Sequence, residues 1–260
     1  MTLQEIRAVL SAPEVPEETL KTLGEDPREG VKKLLLSYFR KVEKDNAERL
    51  RVESLYELES TFYKKGMRLV AGMDEVGRGP LAGPVTVSAV ILRPHWFAPG
   101  LNDSKKVTPK HREELARRIR SEAVAYSIVS VPPEEIDEIN IYQATLLAMY
   151  RALKELSVPP EAVIVDAMPI HGTMPVMSVV HGDARSASVA AASIVAKVYR
   201  DHLMEDYDRE YPGYGFAEHK GYGTARHIEA IRRLGVTPIH RRSFEPIRSM
   251  ESVRRTHQES

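Results

Sequence analysis

The chain has 260 residues, of which 42% are hydrophobic, enough for a sizeable core in one large domain or in one domain plus a smaller one, and too many for global disorder. Lys plus Arg and Asp plus Glu both number 37, so the whole-chain charge gives no sign of a nucleic-acid partner and any basic surface must be local. The absence of cysteine removes disulfides, thiolate zinc sites and cysteine nucleophiles, and fits a reducing compartment.

Residues 1–68 read as helical throughout. Leu3, Ile6, Val9 and Leu10 follow helical spacing, Pro13 and Pro16 interrupt it, and Pro16-Glu17-Glu18 reads as a new helix start with acids in its first turn. After Asp26-Pro27 comes a long charged helical pattern, with Leu34, Leu35, Tyr38 and Val42 on one stripe and Leu50, Leu55, Leu58 and Phe62 continuing it less regularly. The segment mixes 13 Lys and Arg with 13 Asp and Glu. It reads either as a solvated helical appendage or as an accessory module that grips substrate. Nothing in it looks catalytic.

Beyond residue 68 the pattern turns to strands. The runs Arg68–Asp74 and Pro84–Leu92 are separated only by a glycine-rich turn and are expected to pair antiparallel. Ala123–Val131 is a third β-rich run, and Thr108–Ser121 between them is a helix opened by Thr108-Pro109. Ile141–Leu156 is an amphipathic helix. Two short strands follow, Ala162–Val165 and Val176–Val180, the first apolar enough to be buried on both faces. Ser186 to about Tyr207 is a long helix whose start consists of small residues, which lets a helix lie close on a sheet. Thr224–Leu234 is another helix. Residues 219–260 carry nine Lys and Arg against four acids, the local basic bias hidden in the total. The expected class is α/β with a mixed sheet. The expected domains are a helical extension over 1–68, a catalytic core over 69–208, and a helical, basic substrate-binding region over 209–260.

The chemistry gathers at strand ends. Asp74 and Glu75 are adjacent at the expected end of the first strand, Asp166 directly follows Val163-Ile164-Val165, and Asp183 follows the fifth strand. Ligands of open α/β sheets bind at the carboxyl ends of strands. Should the first and fourth strands be neighbours, the four carboxylates converge, and four together either raise one another's pKa or bind hard cations. All-oxygen octahedral sites select Mg²⁺ or Mn²⁺, and two such ions form a clamp for in-line phosphodiester displacement. The turn Gly77-Arg78-Gly79-Pro80-Leu81-Ala82-Gly83 has G-x-G-x-x-x-G spacing and precedes a strand, unlike a dinucleotide-binding loop. It reads as a plain hairpin turn, or as backbone that approaches a substrate closely with Arg78 beside a phosphate.

Asp74-Glu75-Val76-Gly77-Arg78-Gly79-Pro80-Leu81-Ala82-Gly83-Pro84-Val85 resembles the signature of the type 2 ribonucleases H (ribonuclease HII). The likeness continues in order through Leu101-Asn102-Asp103-Ser104-Lys105-Lys106, Val165-Asp166, Gly182-Asp183, Ala190 to Asp201, and His219-Lys220-Gly221-Tyr222-Gly223-Thr224, covering roughly 69–235 and leaving 1–68 outside. The resemblance implies a ribonuclease H-like fold with a five-stranded mixed sheet. It implies endonucleolytic cleavage of RNA paired with DNA, including 5′ to a single ribonucleotide in a DNA duplex, as in ribonucleotide or primer removal. Products would be a 3′-hydroxyl and a 5′-phosphate. Asp74, Glu75, Asp166 and Asp183 would hold two divalent ions, Mg²⁺ or Mn²⁺. The backbone of Gly77, Arg78 and Gly79 would read the ribose 2′-OH. Tyr222 would lie against the sugar next to the scissile phosphate, Ser104 and Lys105 would be substrate contacts, and Asp201 would be a further acid beside the site.

A 2′-OH is small and uncharged, so hydrogen bonds at close range must read it. Lys105, Lys106, Lys220 and the C-terminal arginines would neutralise phosphates. His181, His219 and His227 are tempting acid–base groups but read as surface or supporting residues. The rivals are a type 3 ribonuclease H and a catalytically dead hybrid-binding protein. The Gly-Arg-Gly turn, an aspartate at 183 and a helical rather than β-rich N-terminal region speak against the first, and an intact set of four acids speaks against the second. No signal peptide or membrane helix is expected, and the protein is expected to be cytoplasmic and monomeric.

Overall fold

The structure, a computed structural model, describes residues 1–250. Residues 251–260, with the expected phosphate-neutralising Arg254 and Arg255, lie outside the described residues. Two compact units divide at Arg51 and Val52.

The first unit contains α1 (Leu3–Leu10), α2 (Glu17–Gly24) and most of α3 (Glu29–Ser54). Thr2 caps α1 through a capping box with Glu5, satisfying two otherwise orphaned amides. Ile6, Leu10, Leu23, Val31 and Leu35 form a small core of their own. The expected stripe does not run on through Leu50, which is 72% exposed. Its register breaks because Val52 and Leu55, not Leu50, are the next buried positions.

The second unit is built on a five-stranded sheet in the order β3-β2-β1-β4-β5. Its strands are β1 (Val70–Val76), β2 (Val85–Ile91), β3 (Ala125–Val131), β4 (Ala162–Asp166) and β5 (Val176–Val179). β1 and β2 pair antiparallel, as do β2 and β3. β1 and β4 pair parallel, as do β4 and β5. The sheet is therefore mixed, with β1 at its centre and β4 buried over Ala162–Val165. Preceding it is α4 (Glu57–Tyr63).

Helices cover both faces. α5 (Pro109–Glu122), capped by Thr108, packs on α7 (Ala187–Glu210), and α7 lies on β1 and β2. The small residues at the start of α7 come so close that a Cβ on Gly72 of β1 would sit 2.0 Å from the carbonyl carbon of Ser188. Only glycine fits there. The opposite face takes α6 (Pro133–Glu155) against β2 and β3. This helix starts before the expected Ile141, because a left-handed Asn140 (φ 67) joins two segments. Asn140 Oδ1 accepts from the amides of Tyr142 and Gln143 and so caps the second segment, the one visible in the periodicity. The first segment is short and mostly acidic, which hides its helical spacing. α8 (Phe216–His219) and α9 (Ala225–Leu234) complete the unit, with Tyr214, Phe216, Ala230, Ile231 and Ile239 in a third apolar cluster.

Candidate active site

Asp74 and Glu75 lie within β1, not after it, because antiparallel pairing continues to Val76 opposite Thr86. They therefore leave the strand on opposite faces. Gly72 meets α7, and Asp74, two residues on, shares that face. Its carboxylate is stabilised by the hydroxyl of Ser193 on α7 and by the Glu75 amide, which donates to Oδ1 at 2.8 Å. Parallel pairing of Met73 with Val165 brings Asp166, the last residue of β4, beside this end of β1. Asp166 Oδ1 accepts from the Gly182 amide at 2.9 Å. That bond fixes the 3₁₀ turn Gly182–Ala184, which carries Asp183.

The four carboxylates act on one another through Asp166. Burial, then the charges of Glu75 and Asp166, pushes the Asp74 carboxyl well above the usual aspartate range. Glu75 is raised by burial and by Asp166, against the pull of Arg78. Asp183 is pushed up to about 6, first by burial, then by Asp103 and Asp166. Glu75 Oε2 is buried with no hydrogen-bond partner. A buried carboxylate oxygen left so is costly unless the group takes up a proton or a cation meets it. Among the described residues, no three histidine or acidic side chains are arranged to hold an ion as they stand. Ser193, the Gly182 amide and Arg78 hold Asp74, Asp166 and Glu75 in separate local contacts. The donor set itself, four carboxylates of which one keeps an unpartnered oxygen, fits a divalent cation.

The neighbouring turn is not a plain hairpin. Residues 77–84 are clasped on both sides by the C-terminal segments. The Leu81 amide donates to Gly221 O at 2.8 Å, the Gly83 amide to Ile239 O at 2.8 Å, and the Arg241 amide to Leu81 O at 2.8 Å. Two fully buried arginines lie beneath it. Arg200 of α7 donates to the carbonyls of Pro84, Ala82 and Lys220 at 2.9–3.1 Å. Arg241 donates to Arg78 O at 2.8 Å, to Gly83 O and to Gly77 O. Burial lowers Arg200 to about 10 and Arg241 to about 9, the latter further through the charge of Arg200. Gly77 has φ +87°, and a Cβ on it would lie 2.2 Å from Arg200 Nε. In a trans peptide the C=O of one residue and the N–H of the next point in opposite directions. With Gly77 O and Arg78 O turned to Arg241, the amides of Arg78 and Gly79 face away from it.

The other expected residues fall as follows. Tyr222 is 48% exposed, and its ring Cε1 lies 3.6 Å from where a Cβ on Gly79 would be. Lys105 lies close enough to Asp183 to oppose its rise. Ser104 is only 5% exposed, and its Oγ lies 2.9 Å from Ser193 Oγ, so it faces the interior. Asp201 pairs with Lys197 at 2.7 Å and Arg112 at 3.7 Å. Lys220, expected to neutralise phosphate, pairs with Glu205 at 2.7 Å, and Arg241 is buried and turned onto backbone carbonyls. Sequence reasoning missed Asp103, Ser193, Arg200 and Arg241 as members of the site. The first three stand inside the quoted motifs, and a buried arginine carries no sequence mark that separates it from a surface one.

Sheet order, helix placement and the carboxylates at the β1 and β4 ends define a ribonuclease H-like α/β protein. The chain is similar to the ribonuclease H2 of Pyrococcus horikoshii (TM-score 0.63, 29% identity, 72% of this chain and 98% of that one). It is also similar to the Archaeoglobus fulgidus ribonuclease HII solved in a complex with PCNA (TM-score 0.54, 26% identity, 68% of this chain and 95% of that one). A family model described as ribonuclease HII matches residues 71–247, and one described as the ribonuclease HII N-terminal domain matches residues 2–63. Relatives named ribonuclease HII include those of Ligilactobacillus salivarius, 48% identical over 96% of this chain and 98% of that protein, and Geobacillus kaustophilus, 49% identical over 96% of each. The chain belongs to the ribonuclease HII family. It is a ribonuclease H, a hydrolase whose family implies endonucleolytic action on RNA–DNA hybrids. The N-terminal segment, which the motif resemblance left outside, has a family model of its own. No described helix is long and apolar enough to cross a membrane.

Proposed function

We propose that the protein cuts the RNA strand of RNA–DNA hybrids, and cuts duplex DNA on the 5′ side of a single embedded ribonucleotide, leaving a 3′-hydroxyl and a 5′-phosphate. The observation that carries this reading is the meeting of Asp74, Glu75, Asp166 and Asp183 beside the Gly77-Arg78-Gly79 turn, with Glu75 Oε2 buried and unpartnered. Those four carboxylates would hold two divalent cations, Mg²⁺ or Mn²⁺. When bound, such ions supply Lewis-acid chemistry at a phosphodiester. A solved ribonuclease HIII that shares the fold at 19% identity is described in complex with Mn²⁺.

This chain's own groups do the recognition. The outward amides of Arg78 and Gly79 can donate to a ribose 2′-OH, the only local group that marks RNA against DNA. The Arg78 guanidinium, 3.4 Å from Glu75 Oε1 and partly exposed, can turn to a phosphate beside the acids. Tyr222 offers an exposed ring to the sugar next to the scissile phosphate. Lys105 adds a positive charge near Asp183. Asp201, fixed by Lys197 and Arg112, braces α7 and not a reacting atom.

The test is cleavage of a duplex with one ribonucleotide, with Mg²⁺ or Mn²⁺ present. Wild type is expected to cut it and a chelator to abolish cutting. Asp74→Asn should lower kcat about a thousandfold while substrate binding persists. Full activity of Asp74→Asn would remove the reading, and binding without turnover by wild type would favour a non-catalytic hybrid-binding protein.

A further inference from the structure

Outside the acid cluster, His240 and His227 form a hydrogen-bonded chain that ends on Tyr222, and His219 stacks against it. His219 and His227 stack with ring centroids 4.4 Å apart. His227 Nε2 lies 3.1 Å from His240 Nε2. His227 and His240 are 0% and 1% exposed.

The partners determine where every proton sits. The Thr237 amide donates to His240 Nδ1 at 2.9 Å, so that nitrogen is the bare one. Neutral His240 then carries its proton on Nε2 and donates it to His227 Nε2. His227 in turn carries its proton on Nδ1, which faces Tyr222 O at 2.9 Å and donates to it. His219 is set the same way: the Gly221 amide donates to Nδ1 at 3.2 Å, and Nε2–H donates to Tyr214 O at 2.8 Å. A second proton on His227 would set N–H against N–H across the 3.1 Å contact, and a second proton on His240 would set Nδ1–H against the Thr237 amide. Burial agrees, lowering His227 to about 4 and His240 to about 3. The chain Thr237–His240–His227–Tyr222 therefore has one polarity and one tautomer at each ring. It joins the 237–240 segment, which clasps the glycine turn from one side, to the Lys220–Gly223 loop, which clasps it from the other.

We propose that His227 and His240 are positioning residues that hold Tyr222 against Gly79 at the distance needed to sense the sugar beside the cut, and so set how well the enzyme acts at an isolated ribonucleotide. The proposal rests on the role given to Tyr222 above. A half-exposed aromatic on a glycine-flanked loop has many conformations open to it. The donated bond to its own carbonyl restricts the backbone at that residue, and the ring follows.

The test uses the full chain and two substrates, a duplex with a single ribonucleotide and a continuous RNA–DNA hybrid, with Tyr222→Ala as reference. Tyr222→Ala is expected to lower kcat/KM on the single-ribonucleotide duplex about tenfold more than on the hybrid. His227→Leu should reproduce that skew. His227→Asn should restore the ratio to within about threefold of wild type, because the asparagine amide can occupy the place of Nδ1–H and donate to Tyr222 O. His240→Asn, which keeps an acceptor for the Thr237 amide but cannot reach His227, should fall between. A folded His227→Leu with the wild-type substrate ratio, or one that loses both activities equally, overturns the proposal. Nitrogen NMR of the wild-type imidazoles gives an independent reading: the proton is expected on Nδ1 of His227 and on Nε2 of His240, and the opposite tautomers would overturn it even if His227→Leu did not fold. No substrate skew in Tyr222→Ala would instead remove the role of Tyr222 and this proposal with it, while leaving cleavage by the four acids intact.

Discussion

At the scale of single residues, the substrate-facing turn owes its shape to charges hidden beneath it. Arg200 and Arg241 turn the carbonyls of residues 77, 78 and 82–84 inward. Guanidinium is suited to this because its fixed fork reaches several acceptors at once and cannot lose its charge as readily as an ammonium. Arg241→Met would leave the carbonyls of Gly77, Arg78 and Gly83 buried without a donor. Each such group costs about 1–3 kcal/mol. The expected result is a loss of at least about 2 kcal/mol in chemical denaturation, with KM for the ribonucleotide duplex rising because the outward amides lose their alignment. A melt and affinity equal to wild type would contradict this account of the turn. None of it could be read from the sequence, where Arg241 looked like one more phosphate-binding cation. The nearness of the four acids to one another was legible, because Asp74 and Asp166 adjoin apolar runs of strand length and Asp183 follows a third, although β1 runs on through Asp74 and Glu75 to Val76.

At the scale of elements, α4 belongs with the sheet-bearing unit although it precedes the expected boundary at residue 69. Glu59 is fully buried. It accepts from Ser186 Oγ at 2.6 Å and from the Ser188 amide at 2.9 Å, at the start of α7 just after the turn that carries Asp183. Burial raises its carboxyl, so the charge is disfavoured while the two accepted bonds are not. Glu59→Gln keeps an acceptor and should stay within about 1 kcal/mol of wild type, whereas Glu59→Ala should lose about 2–3 kcal/mol and reduce turnover. Thermal melts paired with cleavage rates check both. Deleting residues 1–51 removes the first unit and its own core, but deleting 1–68 also removes Tyr56, Phe62 and Glu59. The shorter deletion should retain turnover and the longer one should not, and equal behaviour would contradict the placement of α4. The β1–β2 hairpin was legible because two strand-length runs are joined by a short glycine-rich turn, and β4 because of its Val-Ile-Val core. The first half of α6 and the clasp around the turn were not legible, because they depend on one left-handed asparagine and on contacts between segments more than 100 residues apart.

At the scale of the whole molecule, two groups of titrating side chains pull stability in opposite directions. The folded protein holds a proton on Asp183 that the unfolded chain releases above the ordinary value of 3.8, so this stability is present at low pH and is lost as pH climbs through about 6. Asp74 and Glu75 act in the same sense. His227 and His240 do the reverse: their neutral forms favour the fold above the ordinary 6.5, and this contribution is lost as pH falls toward 4 and 3. A divalent cation needs the acids deprotonated and meets their repulsion most usefully when they are charged. Adding Mn²⁺ should therefore raise the melting temperature more at about pH 8 than at about pH 5, and an equal rise at both would contradict the placement of the cations among these acids. The central claim joins that cluster to the reading of one ribose. Its most direct measurement is the mapped cleavage of two matched duplexes that differ by a single 2′-OH, with divalent cation present. The account predicts one cut, immediately 5′ to the ribonucleotide, with a 3′-hydroxyl and a 5′-phosphate at the new ends, and no cut in the all-DNA duplex. Cleavage of both duplexes, or a 2′,3′-cyclic phosphate at the new end, would contradict it.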